Sequence, residues 1–345
     1  MSVNAVATEE QILRRRILRF TIGMTLAVGI TALFNWPLAY VAPVFLAKFL
    51  IDRQAPTVQT VYELIISMMV TVAIAWFTTV GLTQYPSLLM PLIAVLMVWS
   101  YYLFTDPKWN FFATIMLMAC LLVPYMAIID PGAGMFVGVG LSGAGVVAVV
   151  LFTLLHLFYP DLAPVRDSHA QAMQSKSERL FESCKALLLS FPVICYFYTF
   201  EVSGAILTMI FIALLSLQTA GKKSVKISMF MLLTNIIGGI IAILIYNIVT
   251  FVPVIGFYLG IIFLVSLVFS QKMYSMPEKA PIFSTIYSTL LVLVSSTMAS
   301  TGKDVDTNFY LRIAQIGLAC IYLIIVSYFI DSRDWKILKR ASAND

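Results

Sequence analysis

The sequence is dominated by uninterrupted apolar stretches of about 18 residues or more, the length that crosses a bilayer as an α-helix. Of its 345 residues, 61% are hydrophobic and 11% are charged. An average soluble domain has about 25% charged residues. This composition excludes a soluble enzyme, a disordered chain and a disulfide-built secreted domain. Because the apolar runs do not alternate with polar residues, an outer-membrane barrel is also excluded. The chain is predicted to be an all-α, multi-pass integral membrane protein.

We predict about twelve membrane-spanning helices in two sets of six. The predicted spans are 18–34, 38–50, 61–80, 88–104, 111–129 and 135–158 in the first set, and 181–199, 203–217, 227–249, 254–270, 282–299 and 309–330 in the second. The resulting organisation is a cytoplasmic N-terminal segment (1–17), a first membrane repeat (18–158), a cytoplasmic linker (159–179), a second membrane repeat (180–330) and a cytoplasmic tail (331–345).

The positive charges support this count of spans. Lys and Arg accumulate on the cytoplasmic side of helical membrane proteins. With a cytoplasmic N-terminus, all but two of the 22 Lys and Arg fall on that side, the exceptions being Lys303 and Arg312. The same bias explains the net charge of +5, so no nucleic-acid partner is expected. We expect both termini to be cytoplasmic and the protein to lie in a lipid bilayer.

The two sets of spans are predicted to be repeats of one another. A shift of 166 residues places Phe34 on Phe200 and Phe45 on Phe211, and the span boundaries then coincide. An even number of spans in each unit gives both halves the same orientation, which defines a parallel repeat. A Gly-rich run opens the sixth span, and its Gly134 and Gly138 have the spacing of close helix packing, between halves or between subunits of a homo-oligomer.

The second span of each half is too short to cross about 30 Å of hydrocarbon as a straight helix. The first of these spans contains Pro43 and closes with Lys48, Asp52 and Arg53. Short or Pro-interrupted segments at matching places in two halves point to a transport site, because broken helices expose backbone groups. The alternative is a tilted helix in a locally thinned bilayer.

The polar segments around these short spans resemble a known family. They read FNWPLAY at 34–40 and DRQAPT at 52–57 in the first half, and LQTAGKK at 217–223 and TNIIGG at 234–239 in the second. This resembles the fusaric acid resistance / aromatic acid exporter family, whose halves carry a Pro-aromatic hairpin, a Gln-Pro-type turn and a Gly-x-x-Gly third span. The chain departs from the family pattern in two ways. It has a short linker in place of the family's large cytoplasmic domain, and it lacks a regular Gly-x-x-Gly in its third spans.

The resemblance implies efflux of small, often aromatic, organic acids across the inner membrane. It also implies a periplasmic adaptor protein and an outer-membrane channel as partners. The chain contains no recognisable nucleotide-binding motif, so we expect the proton gradient to drive export. Its two histidines and four cysteines lack the spacing of a metal or catalytic site, so neither an enzyme nor a cofactor is expected. An organic-anion channel and a non-transporting scaffold of an envelope complex are the alternatives.

Ionisable residues inside membranes mark either a pathway or a structural pair. For an acid exporter, Lys48 and Arg53 would attract the substrate carboxylate, and Asp52 or Glu63 would carry the proton, since low dielectric favours a neutral carboxyl group. The alternative is that Lys48 reaches the headgroups with Asp52 paired to it, and that Glu63 is favoured by the dipole at a helix start.

Two further residues complete the predicted transport pathway. Asn235 in the ninth span either lines the pathway or joins helices by hydrogen bonds. Arg312 near the outer mouth either guides anions or pairs with Asp304 and Asp306.

Overall fold

The computed structural model describes residues 9–34, 36, 38–53, 55–106, 108–161, 176–200 and 225–298, with isolated positions in 208–216 and 314–329. This described part is helical and contains no β-strand. Its ten α-helices are α1 (Glu9–Leu33), α2 (Val41–Asp52), α3 (Val58–Thr79), α4 (Pro86–Phe104), α5 (Asn110–Ile129), α6 (Pro131–Phe158), α7 (Lys176–Phe200), α8 (Val225–Phe251), α9 (Ile255–Ser275) and α10 (Ala280–Met298).

Within the described residues, nine helices are long and apolar enough to cross a membrane, and only α2 is too short. This confirms a multi-pass helical membrane protein. The predicted spans 203–217 and 309–330 fall mostly outside the described residues, so the count of twelve stays a prediction. Helix α1 begins at Glu9 and α7 at Lys176, both earlier than predicted. Hydropathy detects only the apolar part of a helix, and the charged first turns of α1 and α7 precede it.

The starts of α4 and α6 follow from local sequence. Each begins with a proline, Pro86 and Pro131, at a position where no backbone N–H is needed for the helix. Before α6, the carboxylate of Asp130 accepts a hydrogen bond of 2.8 Å from the Ala133 N–H. Asp130 is therefore the N-cap of α6, a structural role for an acid at the edge of the membrane.

The helices form two compact units, and each unit combines helices from both predicted halves. Unit 1 contains α1, α2, the C-terminal parts of α6 and α8, and α9 and α10. Unit 2 contains most of α3, then α4, α5, the first part of α6, α7 and the first part of α8. The assignment of 18–158 and 180–330 as repeats stays a prediction. The repeats are two halves of the sequence, whereas each packing unit contains helices from both halves.

In unit 1, α1 packs along α9 and α2, and α10 packs against both α9 and α2. The ring of Phe20 lies between α9 and α10, with its centroid 6.3 Å from that of Tyr274 and 5.4 Å from that of Tyr287. The hydroxyl oxygens of Ser266 and Tyr287 are 2.6 Å apart, which joins α9 to α10 by a buried hydrogen bond. Aromatic contacts and a hydrogen bond between hydroxyl groups thus join α1, α9 and α10 in unit 1.

In unit 2, α4 packs between α5 and α7. The Tyr198 hydroxyl of α7 donates a hydrogen bond of 2.6 Å to the Leu121 carbonyl of α5. Gly138 of α6 allows a close approach to α3, because an added Cβ would lie 3.1 Å from the Ala75 Cβ. Gly134 is tighter still, since an added Cβ would lie 2.7 Å from the Cβ of Ala127. The two glycines therefore serve helix packing inside this unit.

On α9 the exposed face is apolar, and the buried face carries hydroxyl groups beside apolar side chains. Leu264 and Val268 are 60% and 56% exposed. The buried positions recur every fourth residue at Tyr258, Ile262, Ser266 and Ser270. Lipid chains are as apolar as leucine, so burying leucine gains little there, whereas a hydroxyl gains a hydrogen-bond partner. This distribution is what a bilayer favours and what water opposes.

Candidate functional site: the cationic end of α2

Helix α2 is the short helix of the described structure and lies largely buried in unit 1. Its 12 residues (Val41–Asp52) reach about 18 Å at 1.5 Å per residue, well short of the hydrocarbon thickness. Most of them are buried against α1 and α10. The predicted short second helix is confirmed in the first half, but Pro43 does not interrupt it. Pro43 is the third residue of the helix, where its missing N–H costs no helical hydrogen bond.

The charged residues predicted as a pathway lie at the C-terminal end of α2. Lys48 is half-buried and Asp52 is exposed on the same side of the helix, one turn apart. Arg53 leaves the helix in an extended conformation. Its Nη1 donates a hydrogen bond of 2.6 Å to the Thr60 Oγ1 in the first turn of α3, and its guanidinium carbon lies 5.4 Å from the Phe49 ring centroid. Arg53 is therefore held in place on two sides.

Aromatic side chains continue from Arg53 to the last turn of α6. The centroids of Phe49 and Phe152 are 5.4 Å apart, and those of Phe152 and His156 are 4.4 Å apart. His156 is 8% exposed, and its Nδ1 lies 2.8 Å from the Phe152 carbonyl oxygen. Phe49 and Phe152 are 2% and 0% exposed, so these rings form a buried support behind the guanidinium group of Arg53. Sequence reasoning missed Phe49, Phe152 and His156, because no local motif joins residues more than 100 positions apart.

A second group of charges lies at the same end of unit 1. Arg16 donates from Nε and Nη2 to the Asp161 carboxylate, with Nη2 2.9 Å from Oδ2. Arg19 is only 2% exposed, and its Nη1 donates to the Tyr159 carbonyl oxygen at 3.1 Å while its Nη2 lies 3.4 Å from Asp161. The sequence had suggested only that these arginines flank a membrane span. Arg16 and Arg19 thus share the carboxylate of Asp161.

Tyr274 connects this ion-pair group to α2. Its hydroxyl donates a hydrogen bond of 2.9 Å to the Leu50 carbonyl, near the end of α2. Its ring packs edge-on against Phe20, the neighbour of Arg19 in α1. Helix α9 therefore holds the end of α2 beside the first turns of α1. The charge bias had predicted that these segments lie on one side of the membrane, and the structure places them at one end of unit 1.

Glu63 lies on the buried face of α3 and is 0% exposed. The buried side chains on this face are largely polar, namely Thr60, Glu63, Ser67, Thr71 and Thr78. The opposite face is apolar and exposed, with Met69 at 68% and Trp76 at 55%. Glu63 is the sixth residue of the helix rather than part of its first turn, so stabilisation by the helix dipole is weak there. A buried carboxyl group on a polar face is the expected form of a proton-carrying residue.

Of the two remaining predicted residues, the structure describes one. Asn235 is 3% exposed in α8, beside the buried Thr234. Arg312 lies outside the described residues. Within the described part of the chain, no three His, Cys, Asp or Glu side chains form a group that could hold a metal ion.

The comparisons with known proteins match only the first half of the chain. The family described as "Protein of unknown function (DUF2955)" matches residues 16–155, which run from α1 to the last turns of α6. No curated protein and no solved structure matches the chain. The match to the fusaric acid resistance / aromatic acid exporter family is not confirmed by these comparisons.

Proposed function

We propose that the protein is a bacterial inner-membrane transporter that exports small organic acids, aromatic ones included, at the expense of the proton gradient. The observation that carries the proposal is the end of α2, where a short buried helix presents Lys48 and the doubly held Arg53 in front of the buried rings of Phe49 and Phe152. A carboxylate would approach Arg53, whose guanidinium group is held in position by Thr60 and by the buried Phe49 ring. A non-transporting scaffold protein would not need a site that binds an organic anion, so this arrangement favours a transporter.

Glu63 is proposed as the proton carrier. It lies on the polar buried face of α3, one helical turn after Thr60, which accepts the hydrogen bond from Arg53. A carboxyl group that exchanges its proton and its partner during transport can couple proton entry to anion exit. Asp52, at the end of α2 and one turn after Lys48, is the second candidate for this role.

The proposed architecture is a parallel repeat in which the two halves exchange helices. Helix α1 packs on α9 in unit 1, and α7 packs on α4 in unit 2. Thr21 contacts Ser270 in the first pair, and Tyr101 contacts Ser190 in the second. Adding 169 to 21 gives 190, and adding 169 to 101 gives 270. A single shift of 169 residues therefore converts one polar contact into the other, and it is close to the shift of 166 residues found in the sequence. This supports the equivalence of α1 with α7 and of α4 with α9.

The extent of the family match also supports a six-helix unit. Residues 16–155 correspond to one predicted repeat, 18–158, and the match ends where that repeat ends. A periplasmic adaptor and an outer-membrane channel remain proposed partners that rest on the resemblance of the sequence segments described above.

Transport into inverted membrane vesicles tests the function. A panel of labelled aromatic and aliphatic acids is offered under an imposed pH gradient. The wild-type protein should accumulate at least one acid, an uncoupler should abolish the accumulation, and Glu63→Gln should do the same. Glu278→Gln is the matched control, because Glu278 is an exposed acid before α10. Gradient-independent flux that survives Glu63→Gln would indicate an anion channel, and folded protein that moves no acid would indicate a scaffold.

A further inference from the structure

An apolar groove of about 610 Å³ lies between α4 and α7 within unit 2. Ala94, Val98 and Tyr102 follow one another along its α4 wall, and Leu180 and Leu187 lie on its α7 wall. From Ala94 to Tyr102 the helix rises by about 12 Å, at 1.5 Å per residue. That depth is most of one leaflet of a hydrocarbon core about 30 Å thick. The groove therefore has the length and the lining of a site for a lipid chain.

The mouth of the groove is basic. Lys176, the first residue of α7, lines it and is exposed, and it makes no ion pair or hydrogen bond with the residues the structure describes. One turn further, Arg179 donates to the Thr105 Oγ1 at 2.7 Å and to the Tyr102 carbonyl at 2.8 Å. Among the described residues that line the groove, none is acidic, although Glu178 lies in the same first turn of the helix as Lys176. A negatively charged headgroup at the mouth would thus meet the positive charge of Lys176.

Two aromatic side chains line the groove close to its basic mouth. Trp99 and Tyr102 both line the groove near its mouth. The guanidinium carbon of Arg179 lies 4.3 Å from the Tyr102 ring centroid, which fixes this ring in the wall of the groove. Trp and Tyr are enriched at membrane interfaces because one part of each ring is apolar and another is polar.

We propose that the groove between α4 and α7 binds an anionic phospholipid. One acyl chain fills the groove down to Ala94, and the phosphate lies at its mouth beside Lys176. The bound lipid bridges α4 and α7 and stabilises their contact. This site is separate from the end of α2, and the proposal does not depend on the transport function.

Lipid titration of the purified protein tests the site. The protein is placed in nanodiscs of phosphatidylcholine, phosphatidylglycerol is added, and bound lipid is counted by native mass spectrometry while thermal unfolding is followed. Phosphatidylglycerol should bind one tight site and raise the Tm, whereas extra phosphatidylcholine should do neither. Lys176→Gln should weaken binding about fivefold, the effect of one basic residue at an anionic membrane surface.

Two variants complete the test. Lys272→Gln removes an exposed lysine in the last turn of α9, outside the groove, and should bind lipid like the wild type. Ala94→Phe fills the groove and should abolish the tight site while the helical circular dichroism is retained. Equal affinity for both lipids, wild-type binding by Lys176→Gln, or displacement of the lipid by benzoate would overturn the proposal.

Discussion

The hydroxyl oxygen of Tyr101 in α4 lies 2.8 Å from that of Ser190 in α7, and both residues are completely buried. Ser190 donates its own proton to the Ala186 carbonyl, so Tyr101 donates the hydrogen bond between the helices. In unit 1, Thr21 likewise donates to the carbonyl four residues before it, Ile17, and its oxygen lies 3.4 Å from that of Ser270. Two matched polar contacts therefore join the two pairs of helices.

We expect loss of the Tyr101–Ser190 hydrogen bond to destabilise the protein more than loss of the longer Thr21–Ser270 contact, because Ser270 also donates to the Leu267 carbonyl of its own helix. Tyr101→Phe and Ser270→Ala each remove one partner, and hydrogen bonds between membrane helices contribute about 0.6 kcal/mol on average and about 1.7 at most. A double-mutant cycle of Tyr101→Phe with Ser190→Ala, measured by unfolding in mixed micelles, should return a coupling energy of that size.

Thr199→Val is the matched control for this cycle. Thr199 is exposed, and its hydroxyl bonds to the Cys195 carbonyl of its own helix. Its coupling with Tyr101→Phe should be zero. A Tyr101–Ser190 coupling that is also zero would show that the hydrogen bond makes no net contribution.

Replacing Arg53 should weaken substrate binding. A hydrogen bond to a charged group is worth roughly 1.5–3 kcal/mol, so Arg53→Gln should raise the half-saturating concentration of the acid about tenfold or more. Arg53→Lys should recover part of this loss, since it keeps the charge but loses the planar contact with Phe49. Initial uptake rates over a range of acid concentrations measure the effect.

Arg14→Gln is the control for the charge change, because Arg14 is exposed in the first turns of α1. It should leave the half-saturating concentration unchanged. If Arg14→Gln and Arg53→Gln act equally, the effect of Arg53 comes from the general surface charge and not from a binding site.

Neutralising Asp161 should destabilise unit 1. Asp161→Asn leaves Arg19 buried without its carboxylate, and breaking a buried ion pair on one side costs about 3 kcal/mol or more. Replacing both residues, as in Arg19→Met with Asp161→Asn, should restore a large part of the loss because no buried charge is left unpaired. Denaturant unfolding of the two variants measures the difference. A double variant no more stable than the single one would contradict this explanation.

Adding a methyl group at Gly134 should be costly, whereas adding one at Gly260 should not. At Gly134 the new Cβ would lie 2.7 Å from the Ala127 Cβ and 3.0 Å from its Cα, and backbone atoms cannot move aside easily. Overpacking of this kind typically costs 1–3 kcal/mol, so about that loss is expected for Gly134→Ala. At Gly260 no neighbouring atom lies within 4 Å of an added Cβ. Equal stability of the two variants would argue against close packing of α5 and α6.

The sequence by itself determined that the protein is built from membrane-crossing helices, because burying backbone polar groups in lipid requires a helix and the apolar runs have the necessary length. It also determined that α2 is too short to cross and that charges gather at its end, since both are local properties. The sequence shows that Glu63 shares one face of α3 with Thr60, Ser67 and Thr71, because these residues recur at helical spacing. It does not show that this face is buried.

Only the tertiary structure decided which faces meet. It joined Thr21 to Ser270, and it brought Phe152 and His156 to the end of α2. It also buried Arg19 against the chain that leaves α6. In water, an apolar stripe indicates the buried side of a helix, but in a bilayer both sides are apolar and the hydropathy pattern carries little of that information. The partners of each helix are therefore chosen by the fit of side chains and by hydrogen bonds between distant residues, which no local pattern contains.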